Sequence, residues 1–303
     1  MRFLVTGATG FVGRHIVKKL QNKKHEIAIL VRDFESALIF QNFDTHFVNC
    51  ELILDESSKA SIKKFDPEVC IHLAWEGIPN FSEEISKKNL DNTISFLGFI
   101  VRKTNCKKII ISGSCLEYGV KKGKCKENEQ IRISSFFGWA KNSIYNYISI
   151  ISDEFGVDLI WFRLFYVYGP GQRMEAIIPT IADKLLKAEN PRILNPFNKN
   201  DFVNIMDVVD AFEIASINEV SQGIYNIGSG YATSIYKVFN TIEKLITGQT
   251  SMSETLISEN GGESEIDFFA DINKTKKKLG WKPKISLEDG IKKYIHSIEK
   301  GKI

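Results

Sequence analysis

An α/β fold with a doubly wound parallel sheet is predicted by three features of the sequence. Apolar runs alternate with helical periods over residues 1 to about 163, the pattern of strands linked by crossover helices. Gly7, Gly10 and Gly13 follow the first apolar run at three-residue intervals, as in a strand, a tight turn and the first turn of a helix. The 303 residues are 43% hydrophobic and 25% charged, enough apolar material for a large core in an ordinary globular protein.

Phe3, Leu4 and Val5 open the first strand, residues 3–6. Gly7 turns the chain sharply off it, Gly10 admits a pyrophosphate close to the backbone, and Gly13 lets the next helix lie against the sheet. Thr9, Gly10, Phe11 and Val12 then form a helix N-terminus, with free N–H groups and the positive dipole end facing the phosphates. Phe11, Val12, Ile16, Val17 and Leu20 give that helix its apolar face. Residues 27–31 complete a βαβ unit, and further strands are predicted at 45–48, 69–73, 108–112 and 157–163. Ligands in such sheets bind at the carboxyl ends of the strands. Function is therefore expected directly after Thr6, Val31, Leu73, Ser112 and Arg163. Residues 1–169 are expected to form the dinucleotide-binding domain, with later segments near 200–228 returning to it. Residues 170–303 are expected to form a smaller, mostly helical lobe.

The formal net charge of +3 is too small to argue for a nucleic-acid partner. The basic runs at 121–126 and 274–278 read as solvated faces. No stretch reaches the length of a transmembrane helix and the N-terminus enters a strand at once, so neither a membrane span nor a signal peptide is expected, and the expected location is cytoplasmic. The five cysteines form no Cys-x-x-Cys pair, and the five histidines do not cluster. Reduced thiols and no metal site are expected.

The Gly-x-x-Gly-x-x-Gly spacing of TGATGFVG resembles the short-chain dehydrogenase/reductase family, in particular its extended branch, whose members act largely on nucleotide sugars. The resemblance implies a Rossmann-type fold. Arg32 and Asp33 stand where such folds choose their cofactor. An acid there accepts from the ribose hydroxyls of NAD, whereas a cation pairs with the 2′-phosphate of NADP. Arg32 comes first off the strand and favours NADP(H) over NAD(H), with Arg14 as a second cation; Asp33 keeps the NAD reading open. By resemblance, Glu51 and Leu52 replace an Asp-Leu pair at the adenine amine. His72-Leu73-Ala74-Trp75 resembles the His-x-Ala-Ala turn that lines the cofactor, and His72 itself reads as a packed strand-end residue. Asn89 and Thr93 match a pair that braces the active-site strand. The helical segments 85–101 and 137–155 carry apolar residues on more than one face. In the family they pair across a twofold axis, which implies a homodimer. The surplus on the second, including Ile144, Ile148 and Ile151, is explained either that way or by burial within the chain.

Ser112-Gly-Ser-Cys-Leu-Glu-Tyr-Gly119 resembles the family's Ser-Ser-x-x-x-Val-Tyr-Gly run and places Ser114 at the catalytic Ser/Thr position. Such a hydroxyl donates to a carbonyl oxygen and orients it for hydride transfer. Cys115 and Leu116 replace the Asp-Glu pair of sugar-nucleotide dehydratases, which argues against a 4,6-dehydratase and leaves Cys115 as a substrate-side residue. The family's Tyr-x-x-x-Lys appears as Phe137-Gly-Trp-Ala-Lys141: the lysine, which binds the nicotinamide ribose, is kept, and the proton-donating hydroxyl is lost. Three accounts are open. Phe137 replaces a native tyrosine in an altered chain, the preferred account because Ser114 and Lys141 are intact; the role has moved to Tyr118 or Tyr166; or the chain binds a dinucleotide without turnover. In Arg163-Leu-Phe-Tyr-Val-Tyr-Gly-Pro-Gly171, Tyr166 takes the place of a diphosphate-contacting Asn. Arg173 and Arg192, with Lys199, are further diphosphate candidates. Asp201 to Asp207 resembles a later signature, with Asp207 read as a helix N-cap. The expectation is a reductase of a nucleoside-diphosphate 4-keto sugar, with a 4-epimerase or a dinucleotide sensor as alternatives.

Overall fold

The computed structural model describes residues 1–40, 45–250 and 266–300. In chain order, β1 (Arg2–Thr6) leads into α1 (Phe11–Asn22), and β2 (Glu26–Val31) into the short α2 (Phe34–Ala37). Next, β3 (Thr45–Asn49) leads into α3 (Glu56–Phe65), and β4 (Val69–His72) into α4 (Glu83–Lys103). After β5 (Lys108–Ser114) comes a 3-10 turn at Cys115–Tyr118, then β6 (Lys122–Cys125), α5 (Phe136–Phe155) and β7 (Asp158–Leu164). The remainder is β8 (Tyr166–Tyr168), α6 (Ile177–Leu186), β9 (Lys199–Asn200), β10 (Phe202–Asn204), α7 (Ile205–Ile217) and β11 (Gly223–Ile227). It ends with β12 (Thr233–Ser234), α8 (Ile235–Thr247), β13 (Asp267–Ala270) and α9 (Leu287–Glu299).

The central sheet has the order β11-β7-β5-β4-β1-β2-β3, and its neighbours all pair in parallel. The order reverses at β1, between β4 and β2, which makes the end of β1 the topological switch point where such sheets bind ligands. Both faces of the sheet are covered over its inner strands, which therefore read as unbroken apolar runs, whereas the edge strand β3 is largely exposed. Phe3, Val5, Ile29, Ile71 and Phe162 face α1 and α7, meeting Ile16, Val17, Leu20, Val208 and Phe212. Leu4, Ala28, Cys70, Ile109, Ile111 and Trp161 face α4 and α5. Each fully buried Val, Leu, Ile or Phe among them contributes about 1.5–3 kcal/mol.

Ile144, Ile148 and Ile151 belong to this second core and are at most 3% exposed. The apolar surplus read on α5 is thus taken up by α4 and the sheet within one chain. A third core joins α6, α8 and α9 through Ile178, Ile181, Val238, Phe239, Ile291 and Tyr294. The cap expected at Asp207 is also corrected. Asn204 caps α7 by accepting from the Met206 N–H at 2.9 Å. Asp207 lies in the first helical turn, and its carboxylate accepts from the backbone of Lys284 (2.9 Å) and Ile285 (3.1 Å).

Candidate active site

The first half of the site is a turn closed down to backbone contact. Gly7 has φ +67°, and a Cβ there would lie 2.7 Å from the Ala74 nitrogen; a Cβ on Gly13 would overlap the Gly7 carbonyl oxygen. Only residues without side chains let β1, the turn after β4 and α1 approach this closely. The Thr6 hydroxyl locks the junction. It accepts from the N–H groups of Leu73 and Ala74, at 3.3 Å each, and its own hydrogen is left for His72 Nδ1 at 2.9 Å. His72 Nε2 faces Thr93 Oγ1 at 3.3 Å. Burial, helped by the Lys141 charge, holds the His72 pKa down to about 3, so the imidazole is neutral and structural.

The N-terminus of α1 opens beside this junction. Gly10 is its exposed N-cap and has no side-chain cap, while Thr9, Phe11 and Val12 are half-buried around it. Arg14 donates to the carbonyls of Thr9 and Gly10, at 3.3 Å each, and is engaged over this turn. Past β2, Arg32 is exposed. Asp33 instead caps α2, its two oxygens accepting from Glu35 (2.9 Å) and Ser36 (3.1 Å). Past β3, Glu51 is exposed, and Leu52 is half-buried with φ +71°. A cradle that any Cβ would fill, free helix N–H groups and an exposed cation one strand away fit a dinucleotide phosphate backbone.

The second half of the site follows β5. Lys141, 4% exposed, donates to the Ser112 carbonyl at 2.8 Å and lies 4.2 Å above the Trp75 ring. Burial pushes its pKa down to about 8, and the Glu117 carboxylate opposes that fall. The Ser112 hydroxyl reaches the His72 carbonyl at 3.4 Å. The half-buried Ser114 accepts from the Leu116 N–H at 3.1 Å, which leaves its hydrogen to donate elsewhere. Phe137 packs against Trp75 and Phe81, with centroids 4.9 and 4.6 Å apart. Asn89 holds the turn after Trp75, accepting from the Glu76 N–H at 2.8 Å and donating to its carbonyl at 3.0 Å. The Trp75 indole N–H is buried without a partner.

Across β7, Leu164 pairs in register with Ser114, and Tyr166 follows two residues later. Tyr166, Arg173 and Arg192 line one cleft of about 490 Å³, with Gln172, Asn195 and Asn200. The α1 side reaches the same region, since His15 Nε2 meets the Pro170 carbonyl at 2.8 Å. Three sequence candidates lie elsewhere. The Cys115 side chain is buried in the core; burial pushes its thiol far up, so it is neither a substrate contact nor a nucleophile. Tyr118 is 3% exposed and donates to Asn226 Oδ1 at 2.8 Å, which removes it as a proton donor. Lys199 pairs with Asp267 at 3.0 Å. Sequence reading missed Glu117 and Arg163, a buried ion pair at 2.9 Å behind Ser114. The signal was present: an arginine inside the apolar strand at 157–163 requires a buried acid.

The sequence profile described as the NAD dependent epimerase/dehydratase family matches residues 3–228. A putative UDP-glucose 4-epimerase of Methanocaldococcus jannaschii is 32% identical, with 97% of each chain covered. The dTDP-4-dehydro-6-deoxyglucose reductase of Escherichia coli is 26% identical over 97% of this chain and 96% of the relative. Among solved structures, a UDP-glucose 4-epimerase from Thermotoga maritima, crystallised with UDP-glucose, superposes with a TM-score of 0.85 at 24% identity over 99% of each chain. The glycine turn at the switch point, the strand order and these matches agree: the chain belongs to the NAD-dependent epimerase/dehydratase family, the extended short-chain dehydrogenases/reductases, whose members are NAD(P)-dependent oxidoreductases and epimerases.

Proposed function

We propose that this protein is an NADP(H)-dependent reductase of a nucleoside-diphosphate 4-keto-6-deoxy sugar. The observation that carries the proposal is the row Lys141, Ser112 and Ser114 at the end of β5, beside a cleft lined by Tyr166, Arg173 and Arg192. The relative named as a dTDP-4-dehydro-6-deoxyglucose reductase supports it. Arg32 is exposed for a 2′-phosphate, whereas both oxygens of Asp33 are occupied by α2, which favours NADP(H). The helix N-terminus at Gly10 to Val12 would hold the pyrophosphate, the turn Leu73–Ala74–Trp75 the nicotinamide side, and Lys141 the adjoining ribose. The reduced cofactor, when bound, supplies the hydride. Ser114 orients the ketone oxygen by donating its free hydrogen. Arg173 and Arg192 neutralise the diphosphate.

Position 137 is the proton-donor position, and Phe137 leaves it without an acid. We read it as a replaced tyrosine. Of the two phenols at the cleft, Tyr168 donates to the Ser286 and Leu287 carbonyls, which leaves Tyr166 as the alternative donor, although burial raises its pKa and makes it a weaker acid. The protein assembles as a homodimer and, with its five cysteines all free thiols, belongs in a reducing compartment.

A 4-epimerase is the second reading, favoured by the relative at 32% identity. Incubation with a 4-keto sugar nucleotide and NADPH, then with NADH, separates the two. Stoichiometric loss of absorbance, faster with NADPH, is the expected result. Interconversion of 4-hydroxy sugar nucleotides without net cofactor consumption would establish the epimerase, and dinucleotide binding without either reaction would establish a sensor.

A further inference from the structure

Glu117 stands where the family run has valine, 1% exposed and behind the reactive row. Its Oε1 accepts from the Ser114 N–H at 2.7 Å and from Trp161 Nε1 at 3.0 Å; its Oε2 accepts from Arg163 Nε at 2.9 Å and from the same indole at 3.1 Å. All of these partners are donors, which matches the acceptor-only oxygens of a carboxylate. Arg163 is fixed in turn. Its guanidinium stacks 4.5 Å over Tyr118 and donates to the Glu127 carbonyl at 3.3 Å. The backbone is shaped to fit, because a Cβ on Gly113 would overlap the Trp161 indole nitrogen. Buried ion pairs are seldom better for stability than apolar residues of equal volume. This one abuts Ser114 and lies against the start of α5, since a Cβ on Gly138, one turn before Lys141, would stand 3.7 Å from the Glu117 Cα, which points to a task at the site.

We propose that Glu117 is a positioning residue: clamped by Arg163 and Trp161, its carboxylate anchors the backbone of Ser114 and supplies a negative charge behind the α5 turn that leads to Lys141. The proposal rests on the reading of Ser114 and Lys141 as functional groups. The ionisable groups around Lys141 are few. His72 comes from β4 and is neutral, Tyr145 lies on α5 itself, and Arg163 comes from β7 with its charge turned to Glu117. Among the described residues Glu117 is the carboxylate that acts on the buried ammonium. The other contacts of that ammonium, the Ser112 carbonyl and the Trp75 ring, are dipolar or quadrupolar. With the carboxylate present, Lys141 keeps its charge to higher pH, and an ammonium rather than an amine meets the cofactor ribose.

Glu117→Gln alone strands the Arg163 charge and can fail to fold, so the informative variant is the double change Glu117→Gln with Arg163→Met. It removes both charges and keeps the Oε1 acceptor. The titration of Lys141 is followed by NMR in protein carrying labelled lysine, with Lys141→Met assigning the signal. The midpoint is expected to fall by about one pH unit or more, and NADPH binding at pH 8 to weaken about fivefold or more while changing little at pH 6. In Glu117→Ala with Arg163→Met, where the anchor is lost as well, the Ser114 amide is expected to exchange its hydrogen at least tenfold faster than in the Gln variant. A folded Gln–Met variant whose Lys141 titrates as in the parent, or an Ala–Met variant whose Ser114 amide stays protected, overturns the proposal. A parent that binds no dinucleotide at any pH counts against the proposed function, and the two NMR measurements still decide this inference.

Discussion

In the proposed mechanism, Phe137 is the residue on which activity turns. Its ring fills the position between Trp75 and Phe81 where a phenol would deliver its proton. Phe137→Tyr is expected to raise kcat by roughly 10²-fold or more with little change in KM, because the proton is needed in the transition state and not for binding. Lys141→Ala in that background should lower kcat again. If the parent already turns over at an ordinary rate and Phe137→Tyr changes nothing, Tyr166 becomes the donor to replace. His72 gives a second residue-level expectation. Its pKa is held near 3, against an ordinary 6.5, so between those values the unfolded chain binds a proton that the folded chain refuses. Stability is complete above pH 6.5 and falls as the pH drops, by about 3 kcal/mol at pH 4. Urea titrations at pH 7 and pH 4 should show this loss, and His72→Asn should flatten it. An equal loss in the variant assigns the acid sensitivity to other groups.

At the scale of elements, the joints matter more than the elements. The carboxylate of Asp201 gathers the Ser229, Gly230 and Ala270 N–H groups at 2.5–3.0 Å and so ties the chain before β10 to the end of β11 and to β13. Asp207 ties α7 to the segment that leads into α9, helped by the Trp281 indole, which donates to the Asp207 carbonyl at 2.8 Å. Asp207→Ala leaves two backbone N–H groups without their acceptors, at about 1–3 kcal/mol each. The melting temperature should fall by roughly 5–10 °C, and Asp207→Asn, which retains one carbonyl acceptor, should recover part of it. Unchanged melting of the alanine variant would mean that the 284–285 backbone finds water instead. The inner strands of the first half were legible because β1, β2, β4 and β5 are buried apolar runs, and α5 because Gly156 ends it in a left-handed turn. These joints were not legible, because each acid accepts from backbone far along the chain, as when Asp207 meets Ile285 78 residues away.

For the whole molecule, the proposed dimer now rests on different residues from those the sequence suggested. With Ile144, Ile148 and Ile151 buried inside one chain, the outward stripe of α5 is Phe136, Trp139, Ser143, Tyr147 and Ile150, of which Phe136 is 47% and Ile150 67% exposed. The spacing of three and four puts them on one helical face. Sedimentation at micromolar concentration is expected to give twice the chain mass, and Ile150→Glu to shift the equilibrium toward monomer. A parent that sediments as a monomer removes the dimer.

Local pattern alone determined the fold class, the glycine turn at the first strand and the spacing that seats Lys141 on α5. Each is written in residues close together in the chain, with periods of two or about 3.6 and glycines where a Cβ has no room. The tertiary structure decided which side chains meet. Cys115 and Tyr118 lie inside a motif that resembles an active-site run, yet the 3-10 turn after β5 directs both into the core. Glu117 and Arg163 are 46 residues apart and face each other because β5 and β7 are neighbours in register. Strand order and register are properties of the assembled sheet, and a buried charge finds its partner only when both are set.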